Sequence, residues 1–388
     1  MINNYFTRLL LKLIPLINRL FPKKNKAIFS SESGYTDNAR AMYEYISRNK
    51  DVEVVWVFNK LTEEVMAKKY GVTVKRNTFH FIYHIFTSRY IFTTHFEFIN
   101  LVNDKKQLYI NLWHGMPFKN IELLDQVEPK KSHNHSLKIL RKIRSYSFVN
   151  SEFYRLVFSA SFDLQVNKVV ALGQPRIDFF FNDKPKPKFI EKYSKVLLYC
   201  PTYRNSSGKY KRNDSGWNIN RFKKACITKK FVNFLEKENY LFIIKLHPFE
   251  KNTLNVNTSN DIKNILEIKS DYLLKNNTDL YELLKYTDLL ITDYSSIFID
   301  YMILNRPIIY LIEDYDEYTK SRTFLLNKFE QFSPGHIIKT ASKLIPTIKE
   351  ALINDPYKLK RSELNKLIND KLGQHSICKK ITDFLNIM

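Results

Sequence analysis

Cysteine is scarce in this sequence and acid is short of base, and each shortage excludes something. Three cysteines in 388 residues, Cys200, Cys226 and Cys378, stand far apart. Their spacing makes neither a zinc site nor a redox pair, and it suits a reducing compartment. A P-loop and a Gly-x-Gly-x-x-Gly turn are both missing, which argues against a nucleoside triphosphatase or a dinucleotide enzyme. Zinc-finger spacing, an RNP-type aromatic strand and an arginine-rich tail are also missing, so no nucleic-acid module is expected. No internal repeat or low-complexity tract interrupts the chain. The acidic run Glu313, Asp314, Asp316 and Glu317 lacks the strand-end placement of a metal-binding Asp-x-Asp and reads as a solvated loop. No metal site is expected. The 39 Asp and Glu face 62 Lys and Arg, for a net charge of +23. Such a surplus implies an anionic partner: nucleic acid, anionic lipid or a phosphorylated substrate.

What is present is a core-forming composition, 44% hydrophobic and 14% aromatic. The length suits about two domains of roughly 100–200 residues each. The stretch YFTRLLLKLIPLINRLFPKKNK (5–26) sets Arg8, Lys12 and Arg19 along one side of a helix and is broken by Pro15. It is shorter than the roughly 20 uninterrupted apolar residues of a membrane span and has no small-residue cleavage site. Residues 1–26 read as an amphipathic helix on an anionic leaflet; a helix packed on the first domain is the alternative.

Beyond residue 26, short β-branched or aromatic runs alternate with helical stretches. They lie at 26–31, 52–58, 90–95, 108–113, 146–151 and 168–173. A Pro- and Lys-rich linker follows at 181–195, and the alternation resumes at 196–201, 240–248, 288–296 and 306–312. Continuous apolar strands between helices predict parallel sheets covered on both faces. The expected fold is therefore α/β, with two doubly wound, Rossmann-like domains, 27–185 and 190–388, facing a central cleft. Ligands of such sheets sit beyond the carboxyl ends of the strands.

The polar motifs fall at those ends. In LLITDYSSIFIDY (289–301) a strand gives way to Ser295 and Ser296, which open a helix. Free N–H groups and two hydroxyls there suit a phosphate, although a plain N-cap uses the same residue types. YCPTYR (199–204) offers Thr202 and Arg204, and ALGQPRID (171–178) offers Arg176. LYINLWHG places His114 at a strand end, with Gly115 permitting close backbone approach. FIIKLHP puts Lys245 and His247 on one side of another strand end. A lone strand-end histidine is most often a packing residue. A pair, one from each half, could serve an in-line displacement: a neutral imidazole takes a hydroxyl proton, and a cation offsets charge on a leaving phosphate.

The ordered motifs LWHGMPFK, CPTYR, IIKLHP, TDYSSIFIDY and RPIIYLIEDYDEY resemble those of the CDP-glycerol glycerophosphotransferases of wall teichoic acid and capsule synthesis. The resemblance runs from about residue 28 to 376. It implies a GT-B fold with the active site between the halves. It also implies a peripheral enzyme on the cytoplasmic face of the bacterial membrane, with a polyprenol-diphosphate-linked glycan or polymer as acceptor. It assigns the catalytic base to His114 and places His247 at the donor diphosphate. Gly115, Met116, Pro117 and Phe118, with Ser295 and Ser296, fall in its donor site. By the same matching Arg176, Thr202, Lys245 and Asp300 are donor contacts. The chain departs from the family pattern at Met116, Phe118 and Glu122, and at Cys378, where Arg is common.

Residues and resemblance together lead to a transferase that moves glycerol phosphate from CDP-glycerol to an acceptor hydroxyl, with release of CMP. No cofactor is expected beyond the donor substrate. Transfer of ribitol phosphate from CDP-ribitol and glycosyl transfer by a GT-B nucleotide-sugar enzyme are the alternatives. From another class, nucleic-acid binding driven by the charge is a further rival.

Overall fold

The computed structural model describes residues 14–102, 105–125, 133–203, 219–247, 250, 263–326, 328–370 and 376–388. Seven strands form the first sheet: β1 (Lys24–Ser30), β2 (Glu53–Phe58), β3 (Val72–Lys75), β4 (Ser88–Thr93), β5 (Leu108–Asn111), β6 (Ser145–Val149) and β7 (Val169–Ala171). Six form the second: β8 (Lys195–Tyr199), β9 (Tyr240–Lys245), β10 (Ile265–Ile268), β11 (Leu289–Thr292), β12 (Ile308–Leu311) and β13 (His336–Ile338). The orders are β3-β2-β1-β4-β5-β6-β7 and β10-β9-β8-β11-β12-β13. Every described strand pair is parallel. The expected pair of doubly wound sheets is therefore present.

Three strands escaped the sequence pattern: β3, β10 and β13. All three lie at a sheet edge. Central strands are covered on both faces, so they read as apolar runs, as in the buried VVWVF of β2. An edge strand such as VTVK in β3 keeps only Val74 buried, and no run marks it.

In each sheet the strand order reverses once, between β1 and β4 and between β8 and β11. The strands diverge in connection there, and a crevice opens at their carboxyl ends. The helices that matter to the site are α1 (Asp37–Asn49), α2 (Glu152–Phe162), α3 (Leu280–Leu284), α4 (Ile297–Tyr301), α5 (Tyr315–Ser321), α6 (Lys358–Ile368) and α7 (Ile377–Phe384). The acidic run expected as a solvated loop instead enters α5. Asp314 is buried there and accepts a hydrogen bond from the Tyr294 hydroxyl at 3.1 Å.

The final helix leaves the half in which the sequence places it. Asp178, from the first half, accepts hydrogen bonds from Ser376 Oγ and from the N–H groups of Ile377 and Cys378, at 2.5, 2.7 and 2.9 Å. An acidic side chain thus satisfies the free N–H groups that begin α7. Phe384 meets Tyr146 edge-on at 5.1 Å, which lays the helix along the first sheet. Asn150 donates to Asn369 across the same boundary at 2.7 Å.

At the other terminus, residues 14–19 are helical. Asn18 is fully buried and donates to Leu101 O and Gln107 Oε1 at 2.5 and 2.7 Å, which fixes this helix on the first domain. Leu16, Ile17 and Leu20 remain exposed. Arg8 and Lys12, with the rest of 1–13, lie outside the described residues. Among the described residues no helix is long and apolar enough to cross a membrane.

Candidate active site

The crevice between the sheets holds a cavity of about 270 Å³ with walls from both halves. His114, Gly115, Pro117 and Phe118 line it from the segment after β5. Thr202 enters after β8, His247 after β9, and Ser295 and Ser296 after β11. The loop after His114 is pinned to the opposite half. Leu325 N–H donates to Phe118 O at 3.1 Å, Asn120 N–H donates to Thr323 O at 3.0 Å, and Phe118 packs on Phe298 and Phe324.

His114 stands at the base of this cavity with its ring open to it. Its imidazole lies flat on that of His95, with centroids 4.3 Å apart and planes 9° apart. Trp113 closes another side at 4.4 Å. Burial is the first cause holding its pKa well below 6.5, and the neighbouring charges of His95, Arg176 and His247 push the same way. The ring is nevertheless exposed to the cavity, which relieves much of that desolvation; the downward direction survives because all three neighbouring basic groups favour it. His114 is thus a neutral imidazole at physiological pH, as a proton acceptor must be.

Gly115 follows with φ +142°, a conformation that suits glycine. A Cβ there would lie 2.9 Å from Arg176 Nη2 and 3.6 Å from Ser296 Oγ. The tight neighbour is therefore Arg176, from the same half, while Ser296 of the other half stands at ordinary contact distance.

On the second wall Thr202 N–H donates to Asp293 Oδ1 at 2.7 Å, and Thr292 Oγ1 donates to Cys200 O at 2.8 Å. These bonds tie the loop after β8 to the loop after β11. Thr202 Oγ1 is buried without a hydrogen-bond partner, and Ser296 makes no cap bond to α4. The expected alternative, a plain N-cap, is thus not what Ser296 does; its hydroxyl faces the cavity. His247 packs beside Tyr203 at 5.2 Å. Crowding by protein first, then Lys245, Lys119 and His95, shift its pKa downward; its open side toward the cavity relieves part of the desolvation, and the three neighbouring basic groups still favour a neutral ring. Lys245 is buried, with Nζ donating to Leu246 O at 2.9 Å. It lines an adjoining cavity of about 210 Å³ on the other side of His247.

Three residues expected at the donor are placed elsewhere. Met116 is fully buried. Arg176 and Asp300, from opposite halves, form a buried pair at 2.6 Å beneath the cavity floor. Arg176 also binds Asp37 at 3.0 Å, donates to His114 O at 2.9 Å and stacks over Tyr281 at 4.5 Å. Burial pushes the Asp300 carboxyl up to about 6 against the pull of Arg176. A second crossing lies alongside, where Asp279 accepts from Thr36 Oγ1 at 2.6 Å and Arg40 lies 3.7 Å from the same carboxylate. Such pairs join the halves; they do not touch the cavity. Arg204 lies outside the described residues.

The model of the CDP-glycerol:poly(glycerophosphate) glycerophosphotransferase family matches residues 13–374. The chain belongs to that family. Among its relatives, the teichoic acid poly(glycerol phosphate) polymerase of Bacillus spizizenii is 25% identical, over 88% of this chain and 89% of that protein. The teichoic acid ribitol-phosphate primase of the same organism is 26% identical over 86% and 85%. The teichoic acid glycerol-phosphate primase of Bacillus subtilis is 26% identical over 78% and 76%. The solved wall teichoic acid polymerase TagF shares the fold, with TM-score 0.75 at 21% identity over 98% of this chain and 95% of that one. The MnaA–UDP structure from S. aureus shares it more loosely, with TM-score 0.56 at 14% identity over 94% and 98%. The two doubly wound domains inferred from the strand pattern are present, and the GT-B fold implied by the resemblance is the one shared with TagF.

Sequence reading overlooked His95, Lys119 and Tyr203, which complete the site. His95 ends the TTH that closes β4, and the parallel pairing of Thr93 with Asn111 brings it beside His114. Its strand-end position was a usable signal.

Proposed function

We propose that the chain transfers a polyol phosphate, sn-glycerol 3-phosphate first among the candidates, from its CDP ester to an acceptor hydroxyl in teichoic acid or capsule synthesis. The observation that carries this reading is the shared cavity: a neutral histidine from one half faces a histidine, two serines and a threonine from the other. His114 takes the acceptor proton. The freed oxygen forms a bond to the phosphorus of the polyol phosphate as the bridging bond to CMP breaks, and CMP leaves with the electron pair. The hydroxyls of Ser295, Ser296 and Thr202 and the N–H of His247 hold the diphosphate, and Lys119 adds positive charge at the rim. Fixed donors of this kind stabilise developing charge without reorganising. The half containing β8–β13 takes the donor, and the half containing β1–β7 takes the acceptor.

The acceptor is a polyprenol-diphosphate-linked glycan or a growing polymer, reached from the cytoplasmic face of the membrane. Exposed Leu16 and Ile17 on the N-terminal helix, Leu20 in the turn after it and the net charge of +23 favour a peripheral seat on an anionic leaflet. Ribitol phosphate is the second reading, favoured by the 26% identity to the ribitol-phosphate primase.

Calorimetry with CDP-glycerol, CDP-ribitol and UDP-sugars, followed by product mass with a lipid-linked acceptor analogue, tests both readings. Binding of CDP-polyols and product heavier by one polyol phosphate is expected. Tight binding of UDP-sugars alone would overturn the assignment.

A further inference from the structure

The two walls of the cavity come from different halves, and a split site works only if they are held in register. His114 and Gly115 stand in a turn of the first half, and Ser295 and Ser296 follow β11 in the second. Ser296 has helical backbone angles, φ −69° and ψ −4°, and leads straight into α4. Residues four apart on a helix share a face, so Ser296 and Asp300 lie on one side of α4. Gly115 meets both ends of that side. A Cβ there would lie 3.6 Å from Ser296 Oγ and 2.9 Å from Arg176 Nη2, and Arg176 is the ion-pair partner of Asp300.

Asp300 reaches His114 through that one intermediary. Its Oδ2 accepts from Arg176 Nη2 at 2.6 Å, and Arg176 Nη1 donates to the carbonyl of His114 at 2.9 Å. A guanidinium is planar and its donors form a rigid fork, so the two terminal nitrogens move together. Nη1 also donates to Asp37 Oδ1 at 3.0 Å. Asp37 belongs to the same half as Arg176, and its bond says nothing about where the other half stands. Of the two carboxylates, only Asp300 fixes Arg176, and with it the His114 carbonyl, relative to Ser296. The Tyr281 hydroxyl steadies this carboxylate in turn, donating to Oδ2 at 3.3 Å.

We propose that Asp300 is a positioning residue: through Arg176 it sets the His114–Gly115 turn of one half in register with the serines of the other. The inference rests on the roles proposed above for His114, Ser295 and Ser296. Asp300 acts through Arg176 and touches neither substrate. A misplacement of about 1 Å in a reacting group can cost on the order of a hundredfold in rate. The second crossing supplies a control. Asp279 joins the halves through Thr36 and Arg40 but bonds neither Arg176 nor His114.

The experiment has two arms on the full chain. The first needs no substrate. Of the nine histidines only His114 precedes a glycine. Labelling with ¹³C′-histidine and ¹⁵N-glycine therefore gives a single HNCO peak, from the peptide that carries the His114 carbonyl. Asp300→Leu should move that peak upfield in carbon, as the bond from Arg176 weakens. Asp300→Asn keeps an oxygen for Arg176 and should move it less. Asp279→Asn should leave it in place. The second arm is steady-state kinetics with CDP-glycerol and a lipid-linked acceptor analogue, on variants that melt cooperatively. Asp300→Leu should lower kcat by about ten- to a hundredfold with donor KM unchanged. Asp300→Asn should recover most of it, and Asp279→Asn should keep the wild-type kcat even where its melting temperature falls. If Asp300→Leu does not fold, Asp300→Asn carries both arms, with a carbon shift and a fall in kcat that Asp279→Asn lacks. An unmoved peak in the folded Asp300 variants overturns the proposal, as does an equal shift in Asp279→Asn. So does a loss confined to donor KM, which would make Asp300 a donor contact. If the wild type turns over no CDP-polyol while the peak responds as described, the functional reading falls and the alignment stands.

Discussion

Two polar clusters cross from one half of the molecule to the other, and they differ in what they exclude. The upper cluster, His114 and Gly115 facing His247, Ser295 and Ser296, opens on the cavity. The lower one, Arg176 with Asp37 and Asp300, and Arg40 with Asp279, is shut away from water. The same chemical vocabulary gives an open, cavity-lining surface above and a joint below. Water access makes the difference: a polar group open to the crevice can exchange water for a ligand, whereas a buried charge is already committed to its partner. Arg176 touches both clusters, since it pairs with Asp300 and holds the carbonyl of His114.

His114→Ala should separate them most sharply. Loss of a general base costs about 10²- to 10⁴-fold in rate, so CMP release should nearly vanish, while thermal unfolding stays within a few degrees of wild type. Retained turnover would remove His114 from its role.

Arg176→Met breaks the lower cluster and leaves two buried carboxylates without their cation. Removing one partner of a buried ion pair costs about 3–5 kcal/mol. Denaturant unfolding should show a loss of that order, and CDP-glycerol binding, measured where the variant is folded, should fall little. A stable variant with weakened donor binding would move Arg176 from the joint to the donor site.

Ser295→Ala and Ser296→Ala act on the upper cluster alone. A hydrogen bond to a charged group contributes about 1.5–3 kcal/mol, so donor affinity should fall about ten- to a hundredfold in the pair of variants. Stability should barely change, because Ser296 makes no cap bond to α4. Calorimetry alongside a melting curve distinguishes this from an N-cap role, which would cost about 1 kcal/mol of stability instead.

The two clusters also divide what could be read in advance. His114, His247, Thr202 and the two serines announced themselves because each follows an apolar strand at once, and a parallel sheet brings all such ends to one rim. Arg176 and Asp300 stand in equally suggestive motifs, GQPRID and SSIFIDY, yet they turn under the rim. No linear pattern records which way a residue faces once two domains close on each other. His95 shows the converse: its neighbour His114 is nineteen places along the chain but one strand away in the sheet. The edge strands β3, β10 and β13 went unread because each is short and carries a polar residue that breaks an apolar run: Thr73 in β3, Glu267 in β10 and His336 in β13.

The sequence by itself determined the alternation of strand and helix, and with it two parallel sheets and two rims of polar strand ends. Those features are local, set by burial of each strand on both faces and by the turn residues that follow. Only the tertiary structure decided that α7 returns to the first sheet, that Arg176 and Asp300 pair across the two halves beneath the cavity, and that His95 lies on His114. Each of these depends on how distant segments pack and on which groups that packing denies to water. Such choices are made between surfaces and are written in no single stretch of the chain.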